Sequence, residues 1–155
     1  MIEVRLPQSG GCTCGQVRFR LTALPYTVYL CHCSICRRQS GAAYGISMSA
    51  PRDAFEVTAG EPAVWRKPNS AGGLTSILFC ATCSSRLCSL RDGASHVTLR
   101  PGVLDNPSWV KPVGQMWTGA ALPWALLDGV LSYEGNPDSY QPMLDAWRAL
   151  DVRPA

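Results

Sequence analysis

Apolar residues recur at every second position over much of the chain, which is the period of a strand with one buried face. Val17-Arg18-Phe19-Arg20-Leu21 shows it most cleanly, with Val17, Phe19 and Leu21 turned inward. Comparable short segments run over 26–30, 44–49, 55–59, 63–67, 74–79, 85–90 and 96–99, separated by turn-forming residues, and 1–6 also alternates. Helical patterning is confined to two places. Ser34 can cap a short turn through Cys36 to Gln39, closed by Ser40-Gly41. Near the end, Met143, Leu144, Trp147 and Leu150 share one helix face behind Asp138 or Ser139. The pattern therefore predicts a mainly β fold of short antiparallel strands with a short C-terminal helix laid on the sheet as a lid. Trp147 is core on this pattern, Trp109, Trp117 and Trp124 are expected to join it, and 69–73 reads as a flexible loop.

Composition agrees with many short strands, since 12 Pro and 14 Gly in 155 residues supply turns rather than helices. No repeat, low-complexity run or linker interrupts the pattern, so residues 1–155 are expected to form one domain. The start of the chain lacks the continuous apolar core of a secretory peptide, and a cytoplasmic location is the expectation. The most apolar stretch, Ala120 to Leu131, is broken by Pro123 and Asp128 and is shorter than the ~20 residues of a membrane span. It reads as buried protein, with no membrane partner.

The cysteines change this picture of an ordinary β domain. In a reducing compartment eight cysteines argue for metal rather than disulfides, and the C-x-C and C-x-x-C spacings of seven of them fit converging metal ligands. Ser9-Gly10-Gly11-Cys12-Thr13-Cys14-Gly15 reads as a tight turn that can aim two thiolates at one centre, and Cys80-Ala81-Thr82-Cys83 as a second such turn at the end of a predicted strand. Cys12, Cys14, Cys80 and Cys83 together make a natural closed, structural tetrahedral zinc site. Cys31-His32-Cys33-Ser34-Ile35-Cys36 is different, because it offers three thiolates and no evident fourth cysteine. Three protein ligands and an open position are the pattern of a catalytic zinc.

A closed second structural site completed by His32 or Cys88 is the alternative. Against it, His32 lies between two ligands on an extended run and should point the other way, and Cys88 reads as a small buried hydrophobe. Arg37 and Arg38 follow the cluster and could orient a carboxylate-bearing ligand bidentately, or serve only to offset thiolate charge. The formal charge of +3 is no sign of a nucleic-acid partner. Seven thiolates and two zinc ions would bring it to zero, and no basic tail is present.

These residues resemble the family of glutathione-dependent formaldehyde-activating enzymes, which includes the centromere-protein-V-like proteins. The resemblance rests on Gly11 to Gly15 with Val17 and Phe19, on Cys31 to Arg38 with Ser40-Gly41, and on Phe79 to Cys83. It continues through Gly102 to Pro107, Pro123-Trp124, Asp128-Gly129 and Tyr133-Glu134-Gly135, so it spans about 10–135. It implies a β-tent fold with two zinc ions, one structural on four cysteines and one open on Cys31, Cys33 and Cys36. It also implies a carbon–sulfur lyase-type activity combining glutathione and formaldehyde into S-hydroxymethylglutathione, with the glutathione sulfur approaching the open zinc. The chain departs from the family pattern at several positions. Ser84 stands for the usual Gly after the last C-x-x-C, and Ser76-Ile77-Leu78 lacks the frequent basic residue before Phe-Cys. Gln115 stands for a usual His, and Ala120-Ala121 for a Ser-Lys. These replacements would remove polar groups from a pocket.

The rival readings are a non-catalytic zinc module that binds another macromolecule and a thiol-based sensor that releases zinc on oxidation. The expected partners remain a small thiol such as glutathione and a small aldehyde. The number of chains in the assembly is left open, a homodimer being one option.

Overall fold

A computed structural model describes residues 1–155, and its elements follow the predicted order closely. The strands are β1 (Ile2–Val4), β2 (Gln8–Gly11), β3 (Arg18–Leu21), β4 (Thr27–Cys31), β5 (Gly45–Pro51), β6 (Phe55–Ala59), β7 (Ala63–Pro68), β8 (Leu74–Phe79), β9 (Arg86–Arg91), β10 (His96–Leu99), β11 (Gly114–Met116), β12 (Leu131–Tyr133) and β13 (Val152–Pro154). The helices are α1 (Ser34–Ser40) and α2 (Gln141–Ala149). The mainly β architecture with a short C-terminal helix is as expected. Patterning did not foresee β2, whose residues Ser9 to Gly11 read as part of a turn because of their glycines, nor β11, β12 and β13, because three residues are too few to show a period.

Eight strands form one sheet in the order β12-β11-β4-β5-β10-β9-β8-β7, and β2-β3-β6 form a second, smaller sheet. Most neighbours are antiparallel, but β11 runs parallel to both β4 and β12, and β1 runs parallel to β13. The large sheet has two chemically distinct faces, and the register makes them so. Val28, Met48, Leu99, Cys88 and Leu78 lie opposite one another across five strands, and all are buried. The row beside it, Thr27, Ser49, Thr98 and Ser89, falls on the other face because side chains alternate along each strand.

The apolar row joins Val17, Phe19 and Leu21 of the small-sheet region in one cluster of 20 buried residues. Phe19 and Phe55 pack with ring centroids 5.2 Å apart. From α2, Met143 and Trp147 enter the same cluster, while the Thr27 hydroxyl donates to the Met143 carbonyl at 3.2 Å and ties the helix to β4. Ser139 contributes to the α2 start by accepting from the Gln141 N–H at 3.1 Å, although Tyr140 is the cap residue.

Four local expectations are corrected. Cys33, not Ser34, is the N-cap of α1, since its sulfur accepts from the Cys36 N–H at 3.4 Å. Gly41 closes the helix as foreseen, at φ 65° in the left-handed region that suits glycine. The 69–73 segment is a hydrogen-bonded hairpin turn, with Asn69 Oδ1 accepting from Ala71 N at 2.8 Å and Gly73 N at 3.3 Å. Of the tryptophans expected in the core, Trp109 and Trp147 are there, but Trp117 and Trp124 are exposed, Trp124 at 77%. Both exposed residues lie in the irregular stretch after β11, where no regular period constrains which side chains turn inward. The same holds for Ala120 to Leu131, expected to be buried: only Ala125 is, and Leu126, Leu127 and Leu131 are exposed. No helix is long and apolar enough to cross a membrane.

Truncating Trp147 to Ala is expected to cost roughly 3–5 kcal/mol in urea unfolding, the range for large buried aromatics. Trp124→Ala should stay within about 0.5 kcal/mol, as for exposed positions.

Candidate metal centres and the groove beside them

The first centre forms where two hairpin-like turns meet. Cys12 and Cys14 sit in the β2–β3 connection and Cys80 and Cys83 in the β8–β9 connection. Cys12 is held by its N–H to the Val17 carbonyl at 3.0 Å, while the Val17 N–H donates to its sulfur at 3.2 Å. Two further contacts lock the turns together. The Thr13 N–H donates to the Ser85 hydroxyl at 3.0 Å, and the Thr82 hydroxyl donates to Gln16 Oε1 at 2.6 Å. All four sulfurs lie within 4.8 Å of one another. The Cys12–Cys14 and Cys14–Cys80 separations are 3.5 and 3.7 Å, against about 3.8 Å for the edge of a tetrahedron with Zn–S bonds of ~2.3 Å. The donor set and its dimensions fit zinc.

The second group lies at the end of β4. Cys31 is the last residue of that strand, Cys33 caps α1, and Cys36 is in its first turn; the three sulfurs also lie within 4.8 Å of one another. No fourth protein ligand joins them. His32 is turned to the opposite side, as predicted, and is fully buried, with Nε2 3.2 Å from Gln115 Oε1 and its ring edge-on to Tyr44. Cys88 is in the core row, equally far from a ligand role. Hydrogen bonding from Cys31 and the nearby Arg100 guanidinium hold the Cys36 thiol down at about 5. In the first centre, the Ser85 hydroxyl and N–H do the same for Cys83, also to about 5. One thiol in each group is thus held as thiolate, the form that binds metal, while Cys31 in one group and Cys14 in the other are pushed up by the neighbouring sulfurs and by burial.

Cys31 and Cys36 open onto a groove of about 1010 Å³. Its floor is the hydroxyl row Thr27, Ser49, Thr98 and Ser89. At the cysteine end stand Tyr29 and Tyr140, whose rings meet edge-on at 5.8 Å, and burial raises both phenols above their ordinary range so they stay protonated at neutral pH. Lys67, Arg91 and His96 line the end towards the β7–β8 hairpin. Sequence reading missed the two tyrosines. The signal for Tyr29 was present, since it precedes Cys31 by two on one strand and so shares its face; Tyr140 is brought in only by the packing of α2.

The residues singled out beside the cysteines are placed elsewhere. Arg37 is half-buried on α1 with Nε unpartnered, Arg38 is exposed, and neither lines the groove. Gln115, Ala120 and Ala121 do not line it either, so those departures do not strip polar groups from it. Gln115 is a buried structural bridge. Its Nε2 donates to the Leu127 carbonyl at 2.7 Å and the Ser132 hydroxyl at 2.9 Å, while Oε1 accepts from the Leu127 N–H at 3.0 Å. Ser84 adopts φ 61°, a conformation that favours glycine.

A mainly β chain with a four-cysteine group and a separate three-cysteine group at a groove has, by class, the donor sets of a cysteine-rich metal-binding domain. Comparison with known proteins narrows the class. The pattern of the glutathione-dependent formaldehyde-activating enzyme family matches residues 7–120, and the chain belongs to that family. A Halomonas elongata protein provisionally named as a glutathione-dependent formaldehyde-activating enzyme is 38% identical over 84 residues. That match covers 50% of this chain and about half, 52%, of the relative's length. A crystal structure of a Rhodobacter sphaeroides protein superposes with a TM-score of 0.53 at 19% identity, covering 81% of this chain and 98% of that one, which shows a shared fold.

Two substitutions check the local account. Ser84→Gly is expected to raise stability by about 0.5–1 kcal/mol in thermal unfolding, because relief of left-handed strain exceeds the added unfolded-state entropy. Gln115→Ala should lower it by about 2–3 kcal/mol, since the Leu127 amide and His32 lose buried partners.

Proposed function

We propose that the protein is a zinc-dependent enzyme of this family that joins glutathione, or a related thiol, to formaldehyde or another small aldehyde. The product is the S-hydroxymethyl adduct, and in the reverse sense the reaction is that of a carbon–sulfur lyase. The observation that carries the reading is the contrast between the two cysteine groups. Four sulfurs close one centre, whereas three converge at the edge of a large groove and leave a position for substrate.

Cys31, Cys33 and Cys36 would hold the ion of the open site, and Cys12, Cys14, Cys80 and Cys83 that of the structural site. Zinc, when bound, supplies Lewis acidity and keeps a thiol anionic at neutral pH. The rest of the chemistry is an addition in which the sulfur lone pair forms a C–S bond to the carbonyl carbon. The carbonyl π pair moves to oxygen, and the oxygen takes up a proton. Tyr29 and Tyr140, both protonated and at the cysteine end of the groove, are placed to donate to that oxygen. The hydroxyl floor offers donors and acceptors to the peptide groups of an extended thiol. Arg37 and Arg38 flank the three-thiol group on α1 and remain candidates for orienting a carboxylate from outside the groove.

Exchange NMR with glutathione and formaldehyde should show adduct formation faster with protein than without; no acceleration and no binding would overturn the reading in favour of a non-catalytic zinc module. Cys33→Ser is expected to abolish the acceleration, with loss of one zinc per chain by elemental analysis and an unchanged far-UV spectrum. Cys80→Ser should instead lower the melting temperature sharply, because a structural zinc contributes folding free energy.

A further inference from the structure

A second, smaller cavity of about 420 Å³ lies behind α1, bounded by Gln39, Ser40, Tyr44, Ser84, Arg86 and Arg100. Its two guanidinium groups have no carboxylate partner. Neither takes part in any of the ion pairs of the chain, and no Asp or Glu lines the cavity. Arg86 donates to Gln39 Oε1, yet its Nε is buried with nothing to bond. Arg100 donates to the Ile46 carbonyl at 2.8 Å.

Gly45 makes this placement possible. A Cβ at that position would lie 2.6 Å from Arg100 Nη1 and 3.2 Å from Cys36 Cβ, so the guanidinium occupies room that β5 leaves by having no side chain there. Arg100 is thereby held beside both the cavity and the three-thiol group. Two half-buried cations that face each other repel, and burial with the neighbouring Arg100 pushes Arg86 down to about 10. Holding such groups together without a counter-charge is costly. The cysteines would not offset both charges either, since with zinc bound the three thiolates and the ion would carry one negative charge against two positive ones. The cavity therefore has a net positive charge to offer an anion.

We infer that this cavity is an oxyanion subsite in which Arg86 and Arg100 hold a carboxylate of the thiol substrate or a free oxyanion such as phosphate. Planar guanidinium forks match carboxylates and phosphates bidentately, and charge-assisted hydrogen bonds of this kind are the strong ones. The Tyr44 and Ser84 hydroxyls on the wall add neutral donors. Identifying the anion as a substrate carboxylate rests on the function proposed above, whereas the existence of the subsite does not.

The test is a two-dimensional NMR titration of the zinc-loaded protein that follows the arginine Nε–H signals. Separate arms use inorganic phosphate, glutathione and glutathione diethyl ester, all at constant ionic strength. Phosphate is expected to shift the Arg86 and Arg100 signals, and glutathione to shift them while binding about tenfold or more tighter than its ester, the effect of one charge-assisted contact. In Arg86→Gln the preference for the acid over the ester should vanish, and Arg86→Lys should restore part of it. If Arg86→Gln does not fold, the wild-type arms decide alone. Signals of Arg86 and Arg100 unmoved by either phosphate or glutathione overturn the subsite, even if glutathione binds elsewhere and the enzymatic reading stands. Shifts with phosphate alone, with neither glutathione nor its ester binding, support a subsite for a free oxyanion and count against the thiol reading instead.

Discussion

The architecture depends on two turns far apart in sequence converging on one set of four sulfurs. Cys14 and Cys80 are 66 positions apart and their sulfurs 3.7 Å apart. Closing a loop of that length costs roughly 4 kcal/mol of chain entropy, plus a constant. The exposed hydrogen bonds between the turns are worth about 1 kcal/mol each, which leaves little margin. A structural zinc bound there, at roughly 10–16 kcal/mol, would exceed the closure cost comfortably. With the ion in place, the turn that joins β2 to β3 is anchored to the turn that joins β8 to β9, and so the small sheet is anchored to the large one.

The large sheet then acts as a divider. Its pleat puts Val28, Met48, Leu99, Cys88 and Leu78 on the side of the core, and Thr27, Ser49, Thr98 and Ser89 on the side of the groove. A slip of one residue would exchange the two faces, so burial of the apolar row holds the polar one in place as well. The same alternation sorts the residues at the end of β4. Tyr29 and Cys31 follow Thr27 onto the groove, while His32 goes to the interior and is met there by Gln115. The candidate site is built by the register that builds the core.

Charge supplies the second theme. The arginines beside the three-cysteine group come from two other strands, with Arg86 at the start of β9 and Arg100 just past β10. Gly45 is the small residue that lets one of them approach. The cationic groups adjacent in sequence, Arg37 and Arg38, lie on the helix and outside both cavities. Proximity along the chain was a poor guide to proximity in space here, because strand pairing brings Arg86 and Arg100 to the cavity wall and leaves Arg37 and Arg38 off it.

Much of the protein was legible in the residue order. Period-two alternation is a local consequence of strand geometry, so the main strands could be read directly. The cysteine spacings are equally local, since C-x-C and C-x-x-C bring sulfurs together whatever surrounds them. His32 pointing away from its neighbours followed from the same rule. Non-local decisions were hidden. The structure alone placed β11 parallel to β4, exposed Trp117 and Trp124, used Gln115 as a buried bridge and paired Arg86 with Arg100. Each depends on which segments meet rather than on what any segment prefers by itself. The sequence by itself determined the local units and the cysteine spacings within them. Only the tertiary structure decided which units face each other, because strand pairing and burial are settled by the packing of the whole chain.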